Sequence, residues 1–332
     1  MKPIPTTILD TVNETINKYK LFPVRDIFVA FSGGKDSLFL CLVLRELGYI
    51  VKPVIFDVGY NVDWKSAKSI AEIFKFKLQI LDLDFVKENI PNTLSIINNY
   101  YKEIQEISRG EHIGLTICTP CFNSKITLLS EWCNLNSNAL QITFGHHGTD
   151  AIASFLKSYF MYIDRWIYNH TKYDDTNFKY LIKTMKPVFC KSKTTLLQSN
   201  EWATIMELKK KKVIGTDEPI RKEIVGTDYA IIRPMFNIIE VDIKQYYNGL
   251  GIKFQKSECA VRKLKDFSKF TPREMVHHIL LDDVPRENME ILLSAILDSL
   301  DINGYNVVNV RNNRTTILGE EYKSGNINTL KL

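Results

Sequence analysis

The feature that most constrains this chain is Ile27-Phe28-Val29-Ala30-Phe31 followed at once by Ser32-Gly33-Gly34-Lys35-Asp36-Ser37. Five apolar residues, with Ile27 and Val29 β-branched, read as a short buried strand. The glycines then turn the chain, and Leu38 to Gly48 reads as a helix. A strand that passes through a glycine turn into a helix gathers several backbone N–H groups at one point, where the positive end of the helix dipole adds to them. Gly33 and Gly34 carry no Cβ, so the backbone can approach an anion closely. Lys35 brings a compact positive charge, and Ser32 and Ser37 bring hydroxyls. An ordinary surface turn would lack both the buried strand before it and the apolar helix after it. The spacing is not G-x-x-x-x-G-K-[ST], so a Walker-type phosphate loop is excluded.

A length of 332 residues allows one large domain or two modest ones. Hydrophobic residues at 45% and charged residues at 24% describe an ordinary globular chain. The opening residues Met-Lys-Pro-Ile-Pro-Thr-Thr hold no apolar signal region, and the longest apolar run, Leu38 to Leu44, is too short to span a bilayer. A cytoplasmic location is expected. The net charge of +5 permits a nucleic-acid partner without requiring one.

Read in order, Thr6 to Lys20 is a leading amphipathic helix, and the strand and glycine turn follow. Val51 to Asp57 is a second strand, Ser66 to Phe74 a helix and Leu78 to Leu83 a third strand. Strand and helix in alternation predict an α/β fold, a doubly wound parallel sheet with ligands beyond the carboxyl ends of its strands. Helix and loop run from Glu88 to Gly110, and a further helix follows Cys121 as far as Trp132. Ala139 to Phe144 is a fourth strand, and Gly145-His146-His147-Gly148-Thr149-Asp150 its exit turn. Between Phe155 and Met185, Tyr159, Phe160, Tyr162, Trp166, Tyr168, Tyr173, Phe178 and Tyr180 alternate with lysines. That mixture fits stacked bases, but a helical hairpin with an aromatic buried face is the reading favoured. The run Lys209 to Lys212 reads as a solvated face. Ala230 to Met235 is a fifth strand and Glu240 to Leu250 a helix. Thr271-Pro272-Arg273-Glu274 is a helix start, helical pattern reaches about Leu300, and Val307–Val310 with Thr315–Leu318 suggests a hairpin. The organisation expected is an N-terminal helix over 1–24, a nucleotide domain over 25–268 and an appendage over 269–332.

Six cysteines without a secretory signal do not suggest a disulfide framework. Cys118-x-x-Cys121 has metal-ligand spacing. A closed structural zinc site would need a second pair, and Cys41, Cys133, Cys190 and Cys259 are scattered singly. Cys41, Cys133 and Cys190 read as buried thiols. Cys259 returns after the fifth strand to the sheet edge where Cys118 and Cys121 should lie. Three cysteines on an open-sided site fit a 4Fe–4S cluster with one free iron, with zinc as the alternative.

The glycine loop SGGKDS resembles the PP-loop of the ATP pyrophosphatase superfamily. The ordered series SGGKDS, CxxC with a following basic residue, GHH-x-x-D, Ile232-Arg233-Pro234, Gly251-Ile252 and Cys259 is similar to that of the tRNA thiolation enzymes, the 2-thiocytidine and 2-thiouridine synthetases. The resemblance covers about residues 25 to 265. It implies ATP, Mg2+ and a 4Fe–4S cluster as cofactors, tRNA as substrate, and a sulfide donor such as a cysteine desulfurase system; a homodimer is compatible with it. It further implies that Ser32, Gly33, Gly34, Lys35, Asp36 and Ser37 hold the triphosphate and that Asp57, Gly145 and Arg233 complete the nucleotide site. By the same resemblance Cys118, Cys121 and Cys259 ligate the cluster, and Lys125 and Asp150 join Lys35 as catalytic groups. The chain departs from the pattern at Thr149, where the first of two acids commonly stands, and at Ala153, near the place of a glutamate. Cys259 also lacks a second CxxC, and there are no terminal zinc ribbons. These departures suit a thiolase whose substrate is no longer tRNA. Two further classes stay open: an ATP-dependent amidotransferase with zinc on the cysteines, and a nucleotide sensor without catalysis.

Overall fold

The computed structural model of the chain describes residues 2–56, 64–90, 93–108, 124–129, 131–132, 135, 141–168, 175–223, 230–252, 254, 272–301 and 304. It divides into two compact units, 1–150 with 220–271 and 151–219 with 272–332.

The first unit is built on the strand that precedes the glycine turn. Helix α1 (Thr6–Lys18) leads into β1 (Asp26–Ala30), α2 (Lys35–Glu46), β2 (Ile50–Phe56), α3 (Trp64–Ile73) and β3 (Gln79–Leu81). Helices α4 (Leu83–Asn89) and α5 (Thr93–Ser108) come next, and residues 124–129 are helical. Strand β4 (Gln141–Thr143) then runs through a turn into α6 (Gly148–Tyr168), within which the division between units falls. After the second unit's helices the chain returns as β5 (Arg221–Glu223) and β6 (Ala230–Ile232). Among the described residues the six strands form one sheet in the order β3-β2-β1-β4-β6-β5. All neighbours are parallel except β5 with β6. The α/β class read from the alternation is therefore the fold, with one antiparallel edge strand added.

Burial on both faces explains why the central strands are nearly continuous in apolar residues. Ile27, Phe28 and Val29 are all buried. On one face lies α2, whose residues from Leu38 to Leu44 are all buried. A helix apolar all round must be covered all round, and α1 and the later helix Glu240–Gly249 pack against it. On the other face Phe28, Val54, Phe56, Leu81 and Ile142 join Leu128, Leu129 and Trp132 in one cluster. Phe28 meets Trp132 edge-on, with centroids 5.1 Å apart. Each Leu or Phe so enclosed contributes roughly 1.5–3 kcal/mol of transfer free energy.

The strand order places β1 between β2 and β4. The chain leaves β1 toward one side of the sheet and later fills the other side, so the carboxyl ends of β1 and β4 form the topological switch point where such sheets bind ligands. The fifth strand is shorter than the sequence suggests. It ends at Ile232, because the Arg233 N–H turns to the Ile220 carbonyl at 2.9 Å and Pro234 has no N–H to offer. The helix read from Glu240 is there, over Glu240–Gly249.

The second unit is helical among its described residues. It holds the rest of α6, α7 (Asp175–Phe189), α8 (Lys193–Leu197), the helix Asn200–Lys210, the helix Pro272–Ile279, a 3-10 turn over Leu281–Asp283 and the helix Arg286–Leu297. Part of the aromatic segment is core: Phe155, Tyr159, Phe160 and Phe178 are buried, and Phe160 meets Phe178 and Phe189 edge-on, while Tyr162 is half-buried and Tyr180 exposed. Lys210, Lys211 and Lys212 are exposed, in keeping with a solvated face, whereas Lys209 is largely covered and pairs with Asp298. Asp57, Cys118, Cys121, Cys259 and the 307–318 hairpin lie outside the described residues. No described helix is long and apolar enough to cross a membrane.

Candidate active site at the exit of the central strands

The site grows from the glycine turn, where Gly34 is extended and caps α2, so Lys35, Asp36 and Ser37 form the helix's first turn. The apolar pattern alone places the start of this helix at Leu38, three residues later. The difference matters, because the unfilled N–H groups of a first turn then belong to the motif itself. Gly33 has φ +75°, and a Cβ there would lie 2.7 Å from the Ala67 Cα, so only glycine fits. Ser37 closes the loop. Its hydroxyl donates to the Gly34 carbonyl at 3.1 Å, accepts from the Ser32 N–H at 3.3 Å and lies 3.2 Å from the Ser32 hydroxyl.

The β4 exit turn presses against this loop. A Cβ on Gly145 would stand 2.7 Å from both the Asp36 carbonyl carbon and the Ser37 nitrogen. Glycine at 145 therefore lets two strand exits meet, which gives the G of GHH a steric reason. Beyond it the His147 N–H donates to Asp150 Oδ2 at 3.1 Å. Gly148 and Thr149 hold the segment before α9, the helix Glu240–Gly249: the Gly148 N–H donates to the Ile238 carbonyl at 2.7 Å, and Thr149 Oγ1 accepts from the Glu240 N–H at 2.9 Å. Thr149, at the position where an acid was expected by resemblance, is thus an anchor for the element that carries Glu240.

Charges alternate across the site. Lys244 lies 3.3 Å from Glu240, which lies 2.9 Å from Lys35 Nζ, which lies 2.7 Å from Asp36. Asp36 in turn lies 3.5 Å from His147 Nε2, and His147 Nδ1 lies 3.5 Å from Asp150. Burial works against the charge on Lys35, but Asp36 and Glu240 outweigh it and raise its pKa. Burial likewise works against the Asp36 carboxylate, and its bond to His147 with the charges of His147 and Lys35 brings its pKa below the usual value. His147 is buried, which lowers its pKa, yet Asp150 and Asp36 leave it raised overall. The site is a pre-charged row in which Lys35 is the cation nearest the loop's N–H groups.

The expected residues separate as follows. Ser32 to Ser37, Gly145 and Asp150 gather at the switch point. Arg233 is buried at the end of β6 and its Nε donates to His146 Nδ1 at 3.2 Å. Asp150 engages His147 rather than Lys35. Lys125 is half-buried on the helical stretch 124–129. Glu240 and Tyr247 were missed by the sequence reading. The Tyr247 phenol, kept protonated by burial, donates to the Lys35 carbonyl at 2.9 Å. Their only signal was that both stand on a helix shortly after Arg233-Pro234.

No protein-family model matches the chain. A Methanocaldococcus jannaschii protein named "Probable sulfurtransferase" is 23% identical over 309 residues, covering 87% of this chain and 78% of that one. The tRNA-cytidine(32) 2-sulfurtransferase of Herminiimonas arsenicoxydans is 30% identical over 154 residues, covering 45% of this chain and 43% of its own length. Among solved structures, the U34-tRNA thiolase NcsA from Methanococcus maripaludis with its [4Fe-4S] cluster superposes with a TM-score of 0.46 at 13% identity, covering 88% of this chain and 78% of that one. The loop SGGKDS at the exit of β1 is similar to the PP-loop of the ATP pyrophosphatase superfamily, and the chain is similar to proteins named sulfurtransferases and tRNA 2-sulfurtransferases.

Proposed function

We propose that this protein is an ATP-dependent sulfurtransferase that activates a carbonyl oxygen as its adenylate and replaces that oxygen with sulfur. The observation that carries the reading is the Lys35-centred anion site at the switch point, in a chain whose relatives are named sulfurtransferases. Its parts fit a triphosphate: a left-handed glycine, a first helical turn of N–H groups, two hydroxyls and a partly exposed ammonium. A carbonyl oxygen is a poor leaving group, and transfer of AMP to it, with pyrophosphate departing, makes it a good one. Lys35 offsets negative charge on the phosphates as that bond breaks. Mg2+ would accompany the nucleotide and share this task. Asp36 and His147 fix the loop from below, and Tyr247 fixes the Lys35 backbone.

Cys118, Cys121 and Cys259 are the residues that would hold a 4Fe–4S cluster, and such a cluster would bind the sulfide used in the exchange. Lys125, on the helical stretch after the CxxC, is the basic group proposed to face the departing oxygen, and Asp150 orients His147. tRNA is the proposed substrate, with pyrimidine C2 as the atom modified and a cysteine desulfurase system as the sulfide source. Lys35→Ala should lower kcat/KM for ATP by about 100-fold or more, and Cys259→Ala should abolish thionucleoside formation while leaving ATP binding intact. Unchanged product formation in either variant would contradict the proposal. Thionucleosides unchanged in total tRNA of a deletion strain would move the substrate to a small molecule or a carrier-bound amide, the reading that Thr149 favours.

A further inference from the structure

The second unit carries a group of side chains that the sulfur-transfer chemistry does not use. The helix Pro272–Ile279 is anchored from inside by buried Met275 and Val276, and the chain after it by buried Leu280 and Leu281. The Leu280 N–H donates to the Val276 carbonyl at 3.1 Å, and the Asp283 N–H donates to the Leu280 carbonyl at 3.1 Å. This continuous turn sets Asp282 one helical turn beyond His278. The ligand atoms of His277, His278 and Asp282 all lie within 4.8 Å of one another, and His278 Nδ1 is 3.6 Å from Asp282 Oδ2. The two imidazole rings stand nearly perpendicular at 81°, with centroids 5.1 Å apart, so both can turn a nitrogen to one point without stacking. The histidines are half-buried and Asp282 is exposed.

We infer that His277, His278 and Asp282 form a site for a divalent first-row transition ion of the zinc type. Two imidazoles and one carboxylate are the donor set of open zinc sites, and the set is too rich in nitrogen for Mg2+ or Ca2+. Bonds of about 2.0–2.1 Å in tetrahedral geometry put donors roughly 3.3 Å apart. The His278–Asp282 pair is already near that separation, and His277 closes its gap by rotation of a half-exposed ring. Beside the site, Lys186 pairs with Asp283. An ion here ties the end of one helix to the turn that follows it, and so stiffens the second unit independently of the nucleotide site.

The test is a titration of the full chain with Co2+, followed by displacement with Zn2+. Visible d–d absorption from one ion per chain, without the near-ultraviolet charge-transfer band of thiolate ligands, separates this site from the cysteines. His278→Ala and the milder Asp282→Asn should each weaken that binding at least tenfold and leave the far-ultraviolet circular dichroism unchanged. Serine replacement of Cys118, Cys121 and Cys259 should leave it intact. Binding of equal affinity in both His278→Ala and Asp282→Asn, or Co2+ spectra of thiolate type alone, would overturn the assignment.

Discussion

Lys35 meets two carboxylates before any ligand arrives, and this sets what its neighbours do. A triphosphate must draw the ammonium away from Asp36 and Glu240. Glu240→Gln keeps the shape and the backbone bond to Thr149 but removes one competitor. ATP should then bind tighter, by about three- to tenfold, measured by calorimetry; weaker binding would mean that Glu240 serves the nucleotide directly. His147 yields a pH prediction. Its folded-state pKa is raised, so its charged form contributes stability that is complete below its ordinary value of about 6.5 and is lost as pH rises through the raised value. The stability advantage of the native chain over His147→Gln should therefore shrink as pH rises from about 6.5 through that raised value. Asp36, with its lowered pKa, contributes above the ordinary carboxylate range and loses its contribution only as pH falls through that lowered value. It does not disturb the comparison. Chemical denaturation at several pH values checks this, and an advantage that grows with pH would contradict the assigned charge.

The elements are held in place by close approaches that tolerate no added atom. Gly145→Ala sets a methyl 2.7 Å from backbone on the first turn of α2. Because the obstacle is backbone, the strands must part, at a cost of about 1–3 kcal/mol. Unfolding midpoint and ATP affinity should fall together. The same elements show what could be read beforehand. β1, β2 and α2 announce themselves as apolar runs, since burial on both sides selects them residue by residue. β5 does not: Arg221-Lys222-Glu223 has no apolar alternation, because it is an edge strand whose charges discourage further pairing. Glu240 was legible as a helix start but not as a partner of Lys35, since only the folded sheet brings the exits of β1 and β6 together. Gly145 was legible as part of a motif, while its reason, contact with Asp36 and Ser37, is again a tertiary fact.

At the scale of the molecule, residues 151–219 associate with 272–332, a pairing that no local pattern could announce. Asn288 is one of its fastenings. Its side chain is fully buried and donates to the carbonyls of Phe189 at 2.9 Å and Lys191 at 2.7 Å, covering the end of α7. Asn288→Ala leaves both carbonyls without that donor and should destabilise the second unit by about 1–3 kcal/mol, with ATP binding in the first unit unchanged. Thermal unfolding with and without nucleotide separates the two effects. The central claim is that cleavage of ATP at this loop drives sulfur into a carbonyl carbon. Its most direct test is to follow pyrophosphate and thionucleoside together, without oxygen, in the protein supplied with tRNA, ATP, Mg2+ and sulfide. The account predicts one pyrophosphate for each sulfur incorporated, with both lost in Lys35→Ala. Pyrophosphate released without sulfur incorporation, or with a nitrogen-containing product when ammonia is supplied, would contradict it.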